Sequence, residues 1–298
     1  MAITYENAIA SYTAPRKGRI WELDFLRGIC LILMIFDHLM YNLATTFSFI
    51  GTTGFGRALT SFAYTYILSS LRTVGWPLAV GIFVLLCGIS TGLSRNNLLR
   101  GLRLFAVAYA ITAILTLADF FFNTRMTINF GILHTLSYSI LIYTLTTGGA
   151  KRIKVYSHNG VQITLQEIAL SVLAVVAIYL TISYSVPLRT DSLFPTYSSI
   201  TEVTFSEYYH FALGINRDLL LSTDYIPLLP WLGIFCIGCV FSTRLYPNKK
   251  SLFPSRSFLN KWFISKLGRR SLLVYIIHQP IIFALLGVLS FILTGRFI

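Results

Sequence analysis

Seven apolar stretches recur along the chain, and each is long enough to cross a bilayer as a helix. A membrane-spanning helix needs about 20 predominantly apolar residues, because the hydrocarbon core is roughly 30 Å thick. The stretches occupy residues 22–43, 76–94, 102–122, 128–147, 166–186, 226–243 and 271–294. The pattern therefore predicts an all-α, polytopic helical membrane protein with about seven transmembrane helices.

Residues 55–75 are the ambiguous segment. The stretch is aromatic and moderately apolar, but Arg57 and Arg72 interrupt it, and Gly75-Trp76-Pro77 predicts a helix break. We predict a helix that lies at the outer membrane interface or is partly re-entrant. If the segment spans the membrane instead, the count of helices becomes eight.

The first apolar stretch is unusual because one of its faces is polar. At about 100° per residue, Asp24, Arg27, His38 and Asn42 fall within one stripe of the helix, and Asp37 adjoins His38. Arg27 and His38 are then about 16 Å apart along the helix axis, half the hydrocarbon thickness. Ionisable groups at membrane depth cost about 2.5–3.5 kcal/mol each, so they mark functional sites by default. This face predicts such a site.

His38 itself has two interpretations. It is either a hydrogen-bonded residue inside a helix bundle or a neutral imidazole that acts as a general base or acyl acceptor. The functional interpretation is favoured because His38 shares its helix with three other ionisable residues, Asp37, Asp24 and Arg27.

Composition and charge fit this class of protein. The chain has 298 residues, 55% of them hydrophobic and 12% charged, with a formal net charge of +13. Because most Lys and Arg residues fall on the cytoplasmic side if the N-terminus is cytoplasmic, the charge reflects the positive-inside rule and not a nucleic-acid surface. We predict a multi-pass protein of the cell membrane with an outer C-terminus, no nucleic-acid partner and no cleavable signal peptide.

The chain is expected to form a single integral membrane domain over residues 1–298. Residues 1–18 are predicted to be a cytoplasmic tail, 187–225 an outer loop able to cover an outward-facing pocket, and 244–268 a basic cytoplasmic loop. The cysteines are interpreted as packing residues and no metal site is expected, because all four lie within apolar stretches. They are Cys30, Cys87, Cys236 and Cys239.

Two later stretches also bring polar side chains to membrane depth. His134 and Tyr138 lie one turn apart in the fourth stretch, where hydrogen bonding between helices and a functional role are equally open. His278 and Gln279 belong to a polar stripe of the last stretch, and His278 is expected near the depth of His38. Three separate helices thus carry a histidine towards the interior, which predicts a shared cavity.

Arginines Arg95, Arg100 and Arg103 cluster between the second and third stretches, on the predicted cytoplasmic side. They are either topology signals or a clamp for phosphate groups, since forked guanidinium groups pair well with phosphate oxygens. A molecule with an adenine-diphosphate end would suit this position.

Four blocks of the chain resemble a known family, in the family's order. They are Arg19-Ile-Trp-Glu-Leu-Asp24-Phe-Leu-Arg27-Gly-Ile followed by Asp37-His38, Phe130-Gly-Ile-Leu-His134, Pro227-Leu-Leu-Pro-Trp-Leu-Gly233, and Leu267-Gly-Arg-Arg-Ser-Leu-Leu-Val-Tyr275-Ile-Ile-His278-Gln-Pro280. On these residues the chain, from about 19 to 294, is similar to the heparan-α-glucosaminide N-acetyltransferase catalytic-domain-like family of prokaryotic multi-pass membrane proteins. The spacing of Arg27 and His38 is also similar to that in the broader membrane acyltransferases.

The resemblance implies transfer of an acetyl group from cytoplasmic acetyl-CoA across the lipid bilayer to a glycan or amino-sugar acceptor. It implies that His38 is the general base or a transient acetyl carrier, and that Asp37 or Asp24 orients it. The donor phosphates would be held by Arg27, Arg100 and Arg103. The acceptor or the oxyanion would be bound by His134, Tyr138, His278 and Gln279.

One departure from the family pattern concerns His38. The human-type enzyme has an asparagine at this place and a catalytic histidine in its first outer loop, whereas residues 43–75 of this chain contain no histidine. Either His38 has that role or this chain does something else. The alternatives are a proton-coupled transporter of a small polar solute and a non-catalytic membrane subunit; a homodimer is also compatible with the sequence.

Overall fold

The structure, a computed structural model, is an all-helical bundle with one short hairpin in the part of the chain that it describes. That part comprises residues 20–52, 54–94, 96–122, 126–147, 154–158, 161–184, 210–215, 224–253 and 262–297. The elements are α1 Trp21–Ala44, a 3-10 helix Ser48–Thr52, α2 Gly54–Ile67, α3 Ser70–Leu93, α4 Asn97–Phe122, α5 Ile132–Thr147, strands β1 Lys154–His158 and β2 Val161–Thr164, α6 Leu165–Ser183, α7 Leu228–Leu245, α8 Phe263–Arg269 and α9 Ser271–Thr294.

The predicted fold class is confirmed, because each of the seven apolar stretches overlaps a helix. Five of these helices, α3, α4, α6, α7 and α9, are long and apolar enough to cross a membrane. Of the other two, α1 has 24 residues but carries the polar stripe, and α5 has 16 residues. The sequence did not predict the antiparallel hairpin of β1 and β2, which lies between α5 and α6.

The segment 55–75 does not form one helix. Helix α2 has 14 residues, about 21 Å, which is too short to cross the hydrocarbon. The predicted helix break at Gly75-Trp76-Pro77 was wrong, since α3 begins at Ser70 and continues through Pro77. A proline inside a helix removes one backbone hydrogen bond, and membrane helices tolerate this where neighbouring groups compensate.

The predicted cytoplasmic ends of the helices lie together at one end of the bundle. Glu22 at the start of α1 accepts hydrogen bonds from the Ser251 hydroxyl and the Leu252 amide, beyond the end of α7. Lys249 donates to the Leu93 carbonyl at the end of α3. The loop that follows α7 therefore ties α1 to α3.

Parts of the predicted domain plan fall outside the described residues. These are the 1–18 tail, Arg95, most of the 187–225 loop and residues 254–261 of the 244–268 loop. The single integral domain stays a prediction.

Glycines set the closest helix contacts. A Cβ atom on Gly88 of α3 would overlap the Phe235 carbonyl of α7, and one on Gly238 would overlap the Leu85 carbonyl. Small residues let membrane helices approach in this way, and the resulting van der Waals packing replaces the hydrophobic driving force that lipid removes. Gly28 of α1 and Gly268 of α8 form a second contact of this kind, against Ile264 and Asp24.

We expect Gly28→Ala to destabilise the protein by about 1–3 kcal/mol, the usual cost of overpacking. The new methyl group would overlap the Ile264 backbone, which cannot move without shifting α8. Thermal unfolding of the purified protein in detergent measures the effect. Gly54→Ala is the matched control, because a Cβ there has no neighbouring atom within 4 Å; equal melting curves for the two variants would contradict the prediction.

Candidate active site

Two of the membrane-depth histidines form a pair. His38 of α1 and His278 of α9 have ring centroids 4.9 Å apart, with the rings inclined at 76°. A second contact joins the same two helices. Asn42 lies one turn after His38 on α1, and its side chain donates a 3.0 Å hydrogen bond to that of Gln279, the residue after His278 on α9. The polar stripe predicted on α1 therefore meets the polar stripe of α9.

Each histidine of the pair is oriented by a carbonyl of its own helix. His38 Nδ1 lies 2.8 Å from the Met34 carbonyl oxygen, and His278 Nδ1 lies 2.6 Å from that of Tyr275. A carbonyl oxygen only accepts hydrogen bonds, so both Nδ1 atoms carry hydrogen. In the neutral rings, Nε2 is then the basic nitrogen with a free lone pair.

The two Nε2 atoms differ in their surroundings. His278 is 5% exposed, and its Nε2 is buried without a hydrogen-bond partner among the described residues. His38 lies on the wall of a cavity of about 310 Å³ between α1 and α3. The pair thus combines one histidine that lines a cavity with a second, buried histidine in contact with it.

The cavity runs along α1 from Cys30 to His38. On α3 it extends from Leu71 to Phe83, and Tyr275 of α9 lines it as well. Its inner end lies one turn from Arg27, which donates to the Leu86 carbonyl of α3 at 3.2 Å. The cavity therefore connects the level of Arg27 with the level of His38.

Asp37 does not orient His38 through any contact in the structure. Its carboxylate accepts two hydrogen bonds from the Arg72 guanidinium, at 2.6 and 3.0 Å, and one from the Tyr66 hydroxyl at 3.1 Å. Neighbouring residues of a helix point about 100° apart, so Asp37 faces α2 and α3 while His38 faces α9. Burial, and then the Asp37 charge, raise the pKa of Tyr66 to about 12, so this phenol stays a donor.

Asp24 is also removed from His38. It lies one turn from Arg27, and the two side chains form an ion pair at 3.4 Å. The structure thus gives both predicted orienting carboxylates an arginine partner, and the Met34 carbonyl contacts the His38 ring instead.

Two of the predicted phosphate-binding arginines, from different helices, contact adjacent residues of α3. Arg27 contacts Leu86, and Arg100 of α4 lies 3.7 Å from the Cys87 sulfur. Arg103, one turn further along α4, is exposed. Arg27 and Arg100 therefore converge on adjacent residues of α3, below the inner end of the cavity.

A sequence comparison decides the family. The family described as "Heparan-alpha-glucosaminide N-acetyltransferase, catalytic" matches residues 19–280, from the start of α1 to just beyond the histidine pair. The chain belongs to this family. No curated protein and no solved structure matches the chain.

Membership in the heparan-alpha-glucosaminide N-acetyltransferase catalytic family makes the chain a membrane enzyme of the transferase type. The matched region contains every predicted site residue, because Gln279 is the last of them. In this member of the family, His38 lines the cavity and its ring contacts that of His278.

His134 lies apart from the pair. Its Nδ1 accepts a 3.2 Å hydrogen bond from the Gly131 amide, and its Nε2 lies 3.3 Å from the Thr112 hydroxyl. Since Thr112 donates its own proton to the Ile128 carbonyl at 2.6 Å, His134 Nε2 must be the donor. Both ring nitrogens thus have partners in the fold, and the tautomer is opposite to that of His38. The expected cavity shared by three histidines was wrong: His38 lines the main cavity, His134 lines a separate small pocket, and His278 contacts the His38 ring without lining either.

Tyr138 belongs to the surroundings of His134. Its hydroxyl lies 2.9 Å from that of Tyr109, and its ring stacks on Phe130. Tyr275 separates this cluster from the pair, since it lines both the main cavity and a small pocket beside His134. Its hydroxyl donates to Asp224 at 2.9 Å.

Sequence reasoning missed Arg72 and Tyr66 as neighbours of the site. Arg72 is 3% exposed, whereas the sequence placed it in a segment at the outer membrane interface, because a helix break was predicted after it. The available signal was the need of Asp37, at membrane depth, for a cationic partner.

Proposed function

We propose that this protein transfers an acetyl group from acetyl-CoA across the membrane to an amine or hydroxyl group, with His38 as the general base or transient acetyl carrier. The observation that carries the proposal is that His38, whose Nε2 is the basic ring nitrogen, lines a cavity that begins one turn above Arg27. Family membership supports the acetyl-transfer chemistry in general.

The donor would enter from the end of the bundle that carries Arg27 and Arg100. Guanidinium groups bind phosphate oxygens through forked hydrogen bonds, and these two arginines converge on Leu86 and Cys87. With the phosphates there, the thioester would point into the inner end of the cavity, towards His38. Arg103 is exposed one turn away and would add positive charge.

His38 would then move a proton between the two substrates. Its Nε2 accepts the proton of the acceptor amine or hydroxyl as that group attacks the thioester carbonyl, and it returns the proton to the sulfur of the departing CoA. General base catalysis of this kind contributes about 10²–10⁴-fold to a rate. In the alternative sequence, Nε2 attacks the thioester first and carries the acetyl group to the acceptor.

His278 is proposed to support this proton transfer. Its neutral Nε2 has no hydrogen, so it can stabilise an oxyanion only after taking up a proton. Its ring lies directly beside the His38 ring, the one from which it would take up that proton. Gln279 is proposed to hold the two helices in place through Asn42, and the contacts of His134 and Tyr138 favour a structural role for both.

Binding of radiolabelled acetyl-CoA to the purified protein in detergent tests the donor site. We expect saturable binding that Arg100→Ala weakens by about tenfold or more, since a hydrogen bond to a charged group contributes about 1.5–3 kcal/mol. Arg57→Ala is the control, because Arg57 is exposed on α2, at the other end of the bundle. Absence of saturable binding to the wild-type protein would exclude acetyl-CoA as the donor and would favour the transporter alternative.

A further inference from the structure

The cavity beside His38 is almost entirely apolar. Among the described residues that line it, none is Ser, Thr, Asn or Gln. The carboxylate of Asp37 is bonded to Arg72 and Tyr66, and the Tyr275 hydroxyl is bonded to Asp224. Apart from the Trp76 indole and the Cys30 thiol, His38 Nε2 is then the polar side-chain atom of the described lining residues that has no protein hydrogen-bond partner.

A sugar ring is a poor occupant for such a cavity. Each buried hydroxyl left without a hydrogen bond costs about 1–3 kcal/mol, and a sugar carries several. In the proposed function the donor thioester enters only from the inner end of the cavity, beside Cys30, so the acceptor is left the part beside Leu71 and Gly75. A hydrocarbon chain needs no hydrogen-bond partners and gains dispersion contacts with the walls.

The cavity opens sideways, towards the lipid. Leu33 of α1 and Leu71 of α3 line it and are 50% and 74% exposed. Gly75 also lines the cavity, and a Cβ atom there would meet no other atom within 4 Å. Because α3 is long and apolar enough to cross a membrane and the sequence predicts that α1 crosses it too, we expect this gap between them to face the bilayer.

We propose that the acceptor reaches His38 from the bilayer, as the polar head of a molecule whose alkyl or prenyl chain occupies the cavity between α1 and α3. This inference rests on the proposed acetyl transfer and adds the class of acceptor: a lipid-borne amine or hydroxyl. The apolar wall would contact the hydrocarbon chain of the acceptor. The acceptor would enter through the lateral gap at Gly75, and its polar head would react at His38 Nε2.

Two acceptors with the same head group test the proposal. Methyl and dodecyl glucosaminide are offered to the protein in lipid nanodiscs, where both faces are accessible, with radiolabelled acetyl-CoA as donor. We expect kcat/KM for the dodecyl compound to exceed that for the methyl compound by at least about tenfold, the discrimination that a single buried methylene can give.

Gly75→Leu separates binding in the cavity from simple partitioning into the nanodisc. The added side chain has space at the lateral gap and should lower kcat/KM for the dodecyl compound more than for the methyl compound, which reduces the dodecyl preference. Gly54→Leu is the control, because a side chain there also has space but does not line the cavity.

The outcomes are distinguishable. Equal rates with both acceptors would overturn the inference and leave the proposed function standing. A preference that persists in Gly75→Leu would overturn it as well, because partitioning would then explain the preference. If neither compound is acetylated while acetyl-CoA binds, the proposed transfer fails, and the inference fails with it.

Discussion

Replacing His38 with glutamine is expected to lower the rate of acetyl transfer by about 10²–10⁴-fold and to leave acetyl-CoA binding unchanged. Glutamine is close to histidine in size and can still donate a hydrogen bond to the Met34 carbonyl, but its amide has no basic nitrogen to replace Nε2. Loss of the base should therefore appear in the chemical step alone.

The measurement combines a transfer assay with donor binding on the same preparations. His210→Gln is the matched control, because His210 is exposed and does not line the cavity. A His38→Gln variant that keeps more than about a tenth of the wild-type rate would show that the base lies elsewhere. Joint loss of donor binding and transfer would indicate a structural role for His38.

His278 gives this experiment a second readout. If it only fills space, His278→Gln should change stability and leave the pH dependence of the remaining rate as it was. If the pair shares a proton, the pH profile of kcat/KM should shift, since that profile reports the ionisations of the free enzyme. The geometry favours the shift, because the two rings lie 4.9 Å apart.

The helices could be predicted from the sequence because a membrane imposes their length and apolar composition. For the same reason, the depths of His38 and His278 followed from counting 1.5 Å per residue. That count placed His38 and His278 at the same depth in the membrane, and in the structure their rings are in contact.

Counting residues along single helices could not predict which side chains of different helices contact one another. Depth does not fix the rotation of one helix against another, so His134 was expected beside His38 although it faces Thr112 and Gly131. Asp37 was expected to contact His38 because the two are adjacent in sequence, but consecutive residues of a helix point in different directions. The tautomers of the histidines depend on single carbonyl groups, which no sequence pattern displays.

Replacing Arg72 with methionine is expected to destabilise the protein by about 3–5 kcal/mol, the cost of leaving one member of a buried ion pair without its partner. The Arg72 side chain is 3% exposed and that of Asp37 is 10% exposed, and they are joined by two hydrogen bonds. Thermal and chemical unfolding in detergent measure the loss.

The double variant Asp37→Leu/Arg72→Met should recover most of that stability, because exchanging a buried pair for apolar residues of similar volume is often neutral or favourable. Arg244→Met is the control, since Arg244 pairs with Glu167 but is 41% exposed, and a surface pair contributes only about 0–1 kcal/mol. If the double variant stays as unstable as Arg72→Met, the ion pair is not the origin of the effect.

The same double variant decides what Asp37 does. A folded double variant that transfers acetyl groups at the wild-type rate would show that Asp37 serves the contact of α1 with α3 and not catalysis. A folded but inactive one would restore the role that the sequence suggested, with the carboxylate acting on His38 through the helix they share. The contacts favour the first result, because Asp37 bonds Arg72 and Tyr66 while the Met34 carbonyl orients His38.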